Sequence, residues 1–162
     1  MSTGIGWDTH RLVEGRPLII GGVRLEYDRG LEGHSDADVL THAIIDAMLG
    51  AAALGDIGEH YPDTDPRYAG VDSMHLLAST VTLLAESAVR VAHVDATVIM
   101  ERPKLSPVRE EIRARLAAAL ELGLAHVNVK ATRGEGMGYI GRLEGVAALA
   151  VVTVEPLAAV TG

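Results

Sequence analysis

The chain of 162 residues contains no cysteine and no phenylalanine, and only 3% of its residues are aromatic. The absence of cysteine excludes disulfide bonds, thiolate nucleophiles and zinc sites with cysteine ligands. Because aromatic side chains are so few, the hydrophobic core must be mainly aliphatic. No apolar run is long enough to span a bilayer. The N-terminus also lacks a basic segment followed by an apolar stretch, so we expect a cytoplasmic protein.

Basic residues are also scarce. The 14 lysines and arginines face 22 aspartates and glutamates, which gives a formal net charge of −8. A protein that binds nucleic acid needs a basic patch, and no cluster of lysine or arginine stands out. We therefore expect neither nucleic acid nor a membrane as a partner. A phosphorylated small molecule is compatible with this charge if a metal ion, helix N-termini or a few cations neutralise it locally.

The residue patterns predict a single domain over 1–162, a length that suits one hydrophobic core. Strands are predicted at 4–10, 93–100, 126–132 and 145–156, with two short strands around Gly21-Gly22 within 17–27. Helices are predicted from Ser35, over 73–88, and from Ser106 to near Gly123. This order predicts an α/β fold, an α+β sandwich in which a mixed β-sheet carries helices packed over one face.

The first predicted strand and helix together offer a set of metal ligands. Asp8 and His10 are two residues apart, so they share one strand face, which is either solvated or part of a metal site. Asp38, His42 and Asp46 are spaced by four and lie along one helix face. That stripe is either a solvated face or the source of a third ligand. Asp8, His10 and His42 would match a catalytic zinc site with an open fourth position. Asp38 and Asp46 would then either orient His42 or lie among the residues that surround the ligands.

Two polar segments near this helix are candidate binding loops. His34 and Ser35 stand at the predicted helix N-terminus, where unpaired N–H groups either hold a phosphate or are simply capped by Ser35. The loop at 55–66 is rich in aspartate, glycine and proline. It either lines a site or forms turns in which Asp63 and Asp65 cap backbone amides.

Further candidates lie where two later strands end. Backbone groups of residues 100–106 are placed to contact the edge of a base, while Lys104 reaches a phosphate. Glu135, in a glycine-rich turn, is a candidate ligand for a hard cation such as Mg²⁺. Arg142 and Glu144 form either a site contact or a surface ion pair.

The motifs together resemble the 2-C-methyl-D-erythritol 2,4-cyclodiphosphate synthase family of non-mevalonate isoprenoid biosynthesis, over nearly the whole chain. The likeness is carried by six segments: GWDTH (6–10), GHSDADVLTH (33–42), GAAALGDIG (50–58), PDTDP (62–66), RPK (102–104) and GYIGRLEG (138–145). The resemblance implies a homotrimer whose active sites lie between neighbouring subunits.

The resemblance also implies roles for individual residues. It implies a zinc ion held by Asp8, His10 and His42, and a Mg²⁺ or Mn²⁺ ion, held by Glu135, that bridges the substrate diphosphate. The implied catalytic residues are His34, Thr132, Arg133 and Glu135. The implied substrate contacts are Asp8, His10, His34, Ser35, Asp56, Ile57, Gly58, Tyr61, Pro62, Asp63, Thr64, Asp65, Met100, Lys104, Leu105, Ser106, Thr132, Arg133, Gly134, Glu135, Tyr139 and Arg142.

The activity implied by this resemblance is a phosphorus–oxygen lyase reaction. It converts 4-diphosphocytidyl-2-C-methyl-D-erythritol 2-phosphate to the 2,4-cyclodiphosphate, and CMP is released. The chain departs from the family pattern at Arg133, where threonine is common, and at Leu143, where glycine is usual. A leucine at position 143 is strained if the backbone there requires a positive φ. These departures leave a nucleotide-binding trimer with impaired turnover as one alternative. A metal-dependent phosphoesterase of broader scope is a second alternative, which does not depend on them.

Overall fold

A computed structural model describes residues 1–157; the last five residues of the predicted 1–162 domain lie outside this range. The strands are β1 (Ser2–Glu14), β2 (Leu18–Ile20), β3 (Val23–Leu25), β4 (Arg29–Leu31), β5 (Val89–Ile99), β6 (Val127–Thr132) and β7 (Gly145–Pro156). The helices are α1 (Val39–Ala51), α2 (Ile57–His60), α3 (Ser73–Glu86), α4 (Arg109–Ala119) and α5 (Gly138–Gly141), with 3-10 turns at Pro66–Tyr68 and Leu124–His126.

The main sheet has five strands in the order β4-β1-β7-β5-β6, and β2 pairs with β3 in a separate hairpin. Only the β5–β6 pair is parallel, whereas β1, β4, β5 and β7 pair antiparallel. The buried residues of α1, α3 and α4 join those of the strands in one aliphatic core. The structure therefore confirms the predicted mixed sheet with helices packed on it.

Several boundaries differ from the predictions for local reasons. The first helix begins at Val39, not Ser35, because Ala37 adopts a φ of 58° that no helix can include, and Asp38 is the N-cap. The third helix begins at Arg109 rather than Ser106. The sequence patterns missed β4, α2 and α5, which have only three or four residues and show no periodicity.

Backbone contact between α1 and β1 depends on two glycines. Gly4 and Gly6 share the β1 face that carries Asp8 and His10. A Cβ on Gly6 would lie 2.0 Å from the Ala43 carbonyl oxygen, and one on Gly4 would lie 2.2 Å from that of Ala47. Helix α1 therefore rests directly on the backbone of β1. This close packing brings His42 to the level of Asp8 and His10.

The opposite face of the sheet has exposed apolar side chains. Trp7 is 52% exposed and Ile5 67%, and Val151 of the neighbouring strand is 38% exposed. The register pairs Ile5 with Val151, so these side chains form one patch. Within residues 1–157, no helix is both long enough and apolar enough to cross a bilayer.

We expect Gly6→Ala to destabilise the fold by about 3 kcal/mol or more, because the new methyl group would force α1 away from β1. Urea unfolding would measure this loss. Gly50→Ala is the matched control: Gly50 lies near the end of α1, and a methyl group added there would meet no atom within 4 Å. That substitution should leave stability unchanged or raise it by up to about 1 kcal/mol. Equal effects of the two substitutions would contradict the packing account.

Candidate active site

Three side chains from β1 and α1 converge on one point. Asp8 Oδ2 lies 2.8 Å from His10 Nε2 and 3.1 Å from His42 Nδ1. The two ring nitrogens are 3.3 Å apart. The three residues are half-buried and form the one group of potential metal ligands found among the described residues. The predicted ligand triad is therefore brought together, although Asp8 and His42 are 34 residues apart in the chain.

Hydrogen bonds from neighbouring residues orient His10 and Asp8, so that one lone pair of each faces the point where the three side chains meet. His10 Nδ1 is 2.7 Å from the Glu32 carbonyl oxygen, so Nδ1 carries the proton and Nε2 faces Asp8. Asp8 Oδ1 accepts a hydrogen bond from Thr9 N, which leaves Oδ2 for His10 and His42. Burial alone would lower the pKa of His10, but the hydrogen bond and charge of Asp8 raise it above its ordinary value. Burial opposes ionisation of Asp8, yet the two histidines lower its pKa well below the usual range.

This arrangement fits a zinc ion. Bonds of about 2.0–2.1 Å in a tetrahedron place neighbouring ligand atoms about 3.3 Å apart. The observed separations of 2.8–3.3 Å approach that spacing, so small side-chain movements would suffice. Two nitrogens and one carboxylate oxygen are also the donor set of catalytic zinc sites that keep an open fourth position.

Asp38 and Asp46 do not orient His42, which excludes the first of their two predicted roles. The carboxylate of Asp38 is fully buried and accepts hydrogen bonds from Gly21 N, Gly22 N and both the amide and hydroxyl of Thr41. Burial raises its pKa, and these four donors oppose that rise. Asp46 accepts from Ile57 N and so holds the start of α2. Both carboxylates are engaged by backbone groups, which the spacing of residues along α1 cannot reveal.

A cavity of about 450 Å³ adjoins the triad; we call it the metal-side cavity. Among the predicted site residues, it brings together Asp8, His10, His34, Ser35, His42, Ile57, Gly58, Tyr61, Pro62 and Asp63. Asp56, Thr64 and Asp65 do not line it. Asp56 caps α2 and Asp65 caps the 3-10 turn, so the turn interpretation holds for Asp65. The Asp65 carbonyl lies 2.9 Å from His34 Nε2 and thereby positions that ring.

A second cavity of about 200 Å³ lies where β5 and β6 end; we call it the strand-end cavity. It brings together the predicted residues Met100, Lys104, Leu105, Ser106, Thr132 and Arg133. Met100 N donates to the Thr132 carbonyl, 3.0 Å away, and this contact joins the two segments. Sequence reasoning missed Arg109, which adds a third cation to the lining.

Gly134 and Glu135 lie outside both cavities. Gly134 N donates to Glu101 Oε2 at 2.9 Å. The carboxylate of Glu135 is exposed and lies 3.3 Å from Arg133 Nη2. In this chain the residue expected to hold a divalent ion is therefore paired with Arg133, a position at which the resemblance leads us to expect threonine. Exposed pairs of this kind are weak, so an incoming cation can displace the guanidinium.

Tyr139 and Arg142 also lie apart from the triad. Tyr139 borders a third cavity with Thr9, whose hydroxyl donates to the Tyr139 oxygen at 3.0 Å. Arg142 forms an exposed ion pair with Glu144 at 2.7 Å, which is the surface interpretation left open by the sequence. Leu143 between them has a φ of 59°, so a leucine occupies the left-handed region where glycine is favoured. Arg29 donates to its carbonyl oxygen at 2.9 Å and supports this conformation.

Sequence reasoning also missed three residues behind the triad. A Cβ on Gly33 would lie 3.2 Å from the His10 ring, so glycine lets that ring approach the backbone. Ser73 Oγ is 2.8 Å from His42 Nε2 and contacts Asp36 in turn. Ser73 begins a helix and Asp36 lies in a loop, and neither position carries a sequence signal that links it to a histidine on another element.

Comparison with known proteins gave a consistent result. The model of the YgbB family matches residues 1–155. The 2-C-methyl-D-erythritol 2,4-cyclodiphosphate synthase of Syntrophobacter fumaroxidans is 53% identical over 152 residues, covering 94% of this chain and 96% of the relative. The enzyme of the same name from Salinibacter ruber is 55% identical over 155 residues, covering 96% and 99%. A solved 2C-methyl-D-erythritol-2,4-cyclodiphosphate synthase in a CDP-bound form is 35% identical, with a TM-score of 0.87 over 94% of this chain and 99% of that one.

We expect His42→Ala to lose stoichiometric zinc, with affinity at least about 100-fold weaker than that of the unchanged protein. Two ligands cannot hold the ion in the geometry that three provide. Metal content of the purified protein and competition with a chromophoric chelator would measure the change. His75→Ala, which removes an exposed histidine from α3, should keep full zinc binding. Retention of zinc by the His42 variant would identify a different third ligand.

Proposed function

The chain belongs to the YgbB family, and from this premise we propose that it forms 2-C-methyl-D-erythritol 2,4-cyclodiphosphate from 4-diphosphocytidyl-2-C-methyl-D-erythritol 2-phosphate. The observation that carries the proposal is the convergence of Asp8, His10 and His42 at the wall of the metal-side cavity. A cation held there neutralises phosphate charge that a protein of net charge −8 would otherwise repel.

The reaction needs positioning more than proton transfer. An oxygen of the 2-phosphate attacks the β-phosphorus, the bond from that phosphorus to the oxygen of the α-phosphate breaks, and CMP leaves with the electron pair. Such an intramolecular attack is accelerated when both groups are held in near-attack geometry. Because CMP is eliminated without water, we propose that the enzyme is a phosphorus–oxygen lyase. It acts in isoprenoid biosynthesis by the non-mevalonate route.

We propose that the metal-side cavity binds the phosphorylated methylerythritol part. His34 and Ser35 lie beside the triad, where the Ser35 hydroxyl can donate to phosphate oxygens, and His34 can do so when both of its ring nitrogens are protonated, because Nε2 already faces the Asp65 carbonyl. Ile57, Gly58, Tyr61, Pro62 and Asp63 line the same cavity, and their neighbours Asp56, Thr64 and Asp65 complete this part of the proposed set. The carboxylates and backbone groups of these residues suit sugar hydroxyls. Zinc bound by Asp8, His10 and His42 would supply Lewis-acid stabilisation of the phosphate oxygens.

We propose that the strand-end cavity binds the cytidine diphosphate. Met100 and Leu105 are buried at its floor, and Lys104, Arg109 and Arg133 provide positive charge at its edge. Thr132 offers a hydroxyl from the end of β6. Glu135 would hold a Mg²⁺ or Mn²⁺ ion on the diphosphate once Arg133 moves to the phosphates. Gly134, Ser106, Tyr139 and Arg142 complete the proposed set of contacts.

We propose a homotrimer with the active site between neighbouring subunits. The two cavities share no lining residue, and β1 is separated from β6 by β7 and β5, a distance of about 14 Å at normal strand spacing. Ile5, Trp7 and Val151 form an exposed apolar patch on this face of the sheet. Contact with other subunits would bury this patch and so stabilise the trimer. Localisation in the cytoplasm stays a prediction.

We expect purified, zinc-loaded protein with Mg²⁺ to release one CMP for each cyclic diphosphate formed. Phosphorus NMR would identify the product, and chromatography would quantify CMP. The His75→Ala variant should turn over at the rate of the unchanged protein, whereas His42→Ala should lose at least about 100-fold in rate.

Three other outcomes would each contradict part of the proposal. A linear product that contains oxygen from water would indicate the phosphoesterase. Tight CDP binding without CMP release would indicate a nucleotide-binding trimer, and Arg133→Thr should then restore turnover. Absence of both binding and turnover would refute the assignment to this chain.

We expect light scattering to give a mass of three times the 17.0 kDa chain. Trp7→Asp should lower this mass, because it introduces a charge into the exposed apolar patch. Ala78→Asp, which adds the same charge on the exposed face of α3, should leave the mass unchanged. A monomeric protein before any substitution would refute the trimer.

A further inference from the structure

We propose that Ser73 and Asp36 are positioning residues for the metal, which fix the proton of the His42 ring on Nε2 and leave the Nδ1 lone pair for the ion. The inference rests on the proposed function of the Asp8–His10–His42 site. It concerns the contacts behind His42, on the side of the ring away from the other two ligands.

The contact that carries the inference is short, and it involves a buried serine. Ser73 Oγ lies 2.8 Å from His42 Nε2, and the side chain of Ser73 is fully inaccessible to solvent. On the other edge of the same ring, Nδ1 faces Asp8 Oδ2 and His10 Nε2. One ring therefore connects the metal position to Ser73.

Asp36 determines the direction of the hydrogen bond between His42 and Ser73. The hydroxyl of Ser73 donates to Asp36 Oδ1, and Ser73 N donates to Asp36 Oδ2 at 3.0 Å. A carboxylate only accepts, so the single hydroxyl proton of Ser73 is committed to Asp36. Ser73 Oγ can then only accept from His42, which requires the proton on Nε2. The Nδ1 atom is left with a lone pair directed at the ligand position.

Ser35 does not determine this direction. Its hydroxyl is 3.2 Å from His42 Nε2, a longer contact, and it also accepts from Ala37 N at 3.2 Å. Its own proton has no carboxylate partner among the described residues, so Ser35 can either donate to His42 or accept from it. Ser73 has no such freedom.

Backbone hydrogen bonds between two loops hold Asp36 and Ser73 next to each other. Asp36 N donates to the Val71 carbonyl at 3.1 Å, and Gly70 N donates to the His34 carbonyl at 2.7 Å. Asp38 N also donates to Asp36 Oδ1, which fixes the carboxylate next to the N-cap of α1. The beginning of α3 is thereby tied to the segment that precedes α1, although Asp36 and Ser73 are 37 residues apart.

We expect Ser73→Ala to weaken zinc binding by about 10- to 100-fold, the usual effect of removing a partner that orients a metal-bound histidine. Chelator competition with zinc alone would measure this affinity. Ser79→Ala is the matched control, because it removes an exposed hydroxyl from the same helix, and its zinc affinity should stay within about twofold of the unchanged protein.

Asp36→Asn should weaken zinc binding by a similar factor, because it reverses the hydrogen-bond direction. If the amide NH₂ faces Ser73 Oγ, the Ser73 proton is released from Asp36 and can donate to His42 Nε2, which allows the ring proton to move to Nδ1. If the amide has the opposite orientation, its NH₂ group faces the N–H of Ser73. Two donors then meet, and the hydrogen bond from Ser73 N to residue 36 is lost. Asp72→Asn is the matched control: Asp72 caps the same helix, and asparagine caps equally well. Circular dichroism would verify that every variant is folded.

Nitrogen NMR of the imidazole rings tests the inference without any substitution. The zinc-loaded protein should show His42 protonated on Nε2 and metal-bound through Nδ1, and Asp36→Asn should shift the metal-free ring toward the Nδ1–H form. Binding through Nε2, or zinc affinities within about twofold of the unchanged protein for both Ser73→Ala and Asp36→Asn, would overturn the inference. These readouts do not involve CMP release, so a failure of the proposed reaction would be recognised separately.

Discussion

The direct contact of α1 with the backbone of β1 is the constraint on which the rest of the structure depends. Gly4 and Gly6 have no side chains that would separate the two elements, and the residues that they face on α1, Ala43 and Ala47, have small side chains. Asp8 and His10 continue the same face of β1, so the approach that buries glycine against alanine also brings His42 to the ligand position. Core packing and the candidate metal site therefore depend on the same contact, and a change that moves the helix would disturb both.

Hydrogen bonds from the surrounding residues orient the side chains of the triad, and the charge of Asp8 affects the protonation of the histidines. Backbone contacts from Glu32 and Thr9 hold His10 and Asp8, whereas side chains from two other segments hold His42. Each imidazole thus has one nitrogen engaged behind it and one directed at the ligand position. Without a metal ion, three acceptors at this separation favour protonation of His10, as the rise of its pKa indicates. A cation at the same point would take the place of that proton.

Leu143 and Arg133, the two residues that the resemblance does not lead us to expect, differ in their structural consequences. Leu143 occupies a left-handed conformation, and Arg29 holds its carbonyl, so the strain there is local and supported. Arg133 lies at the edge of the strand-end cavity and pairs with the exposed carboxylate of Glu135. The first departure concerns the backbone, whereas the second changes the charge available to a diphosphate.

The sequence by itself determined the mixed sheet, and it predicted a candidate ligand triad and candidate binding loops, because period-two and period-3.6 patterns and short motifs are local properties. Only the tertiary structure decided what each carboxylate does. Asp38 and Asp46, spaced suitably for His42, are taken by backbone amides, while Asp36 and Ser73 reach that ring from separate segments. A hydrogen-bond partner depends on where chain segments distant in sequence come to lie, and spacing along one helix contains no information about that.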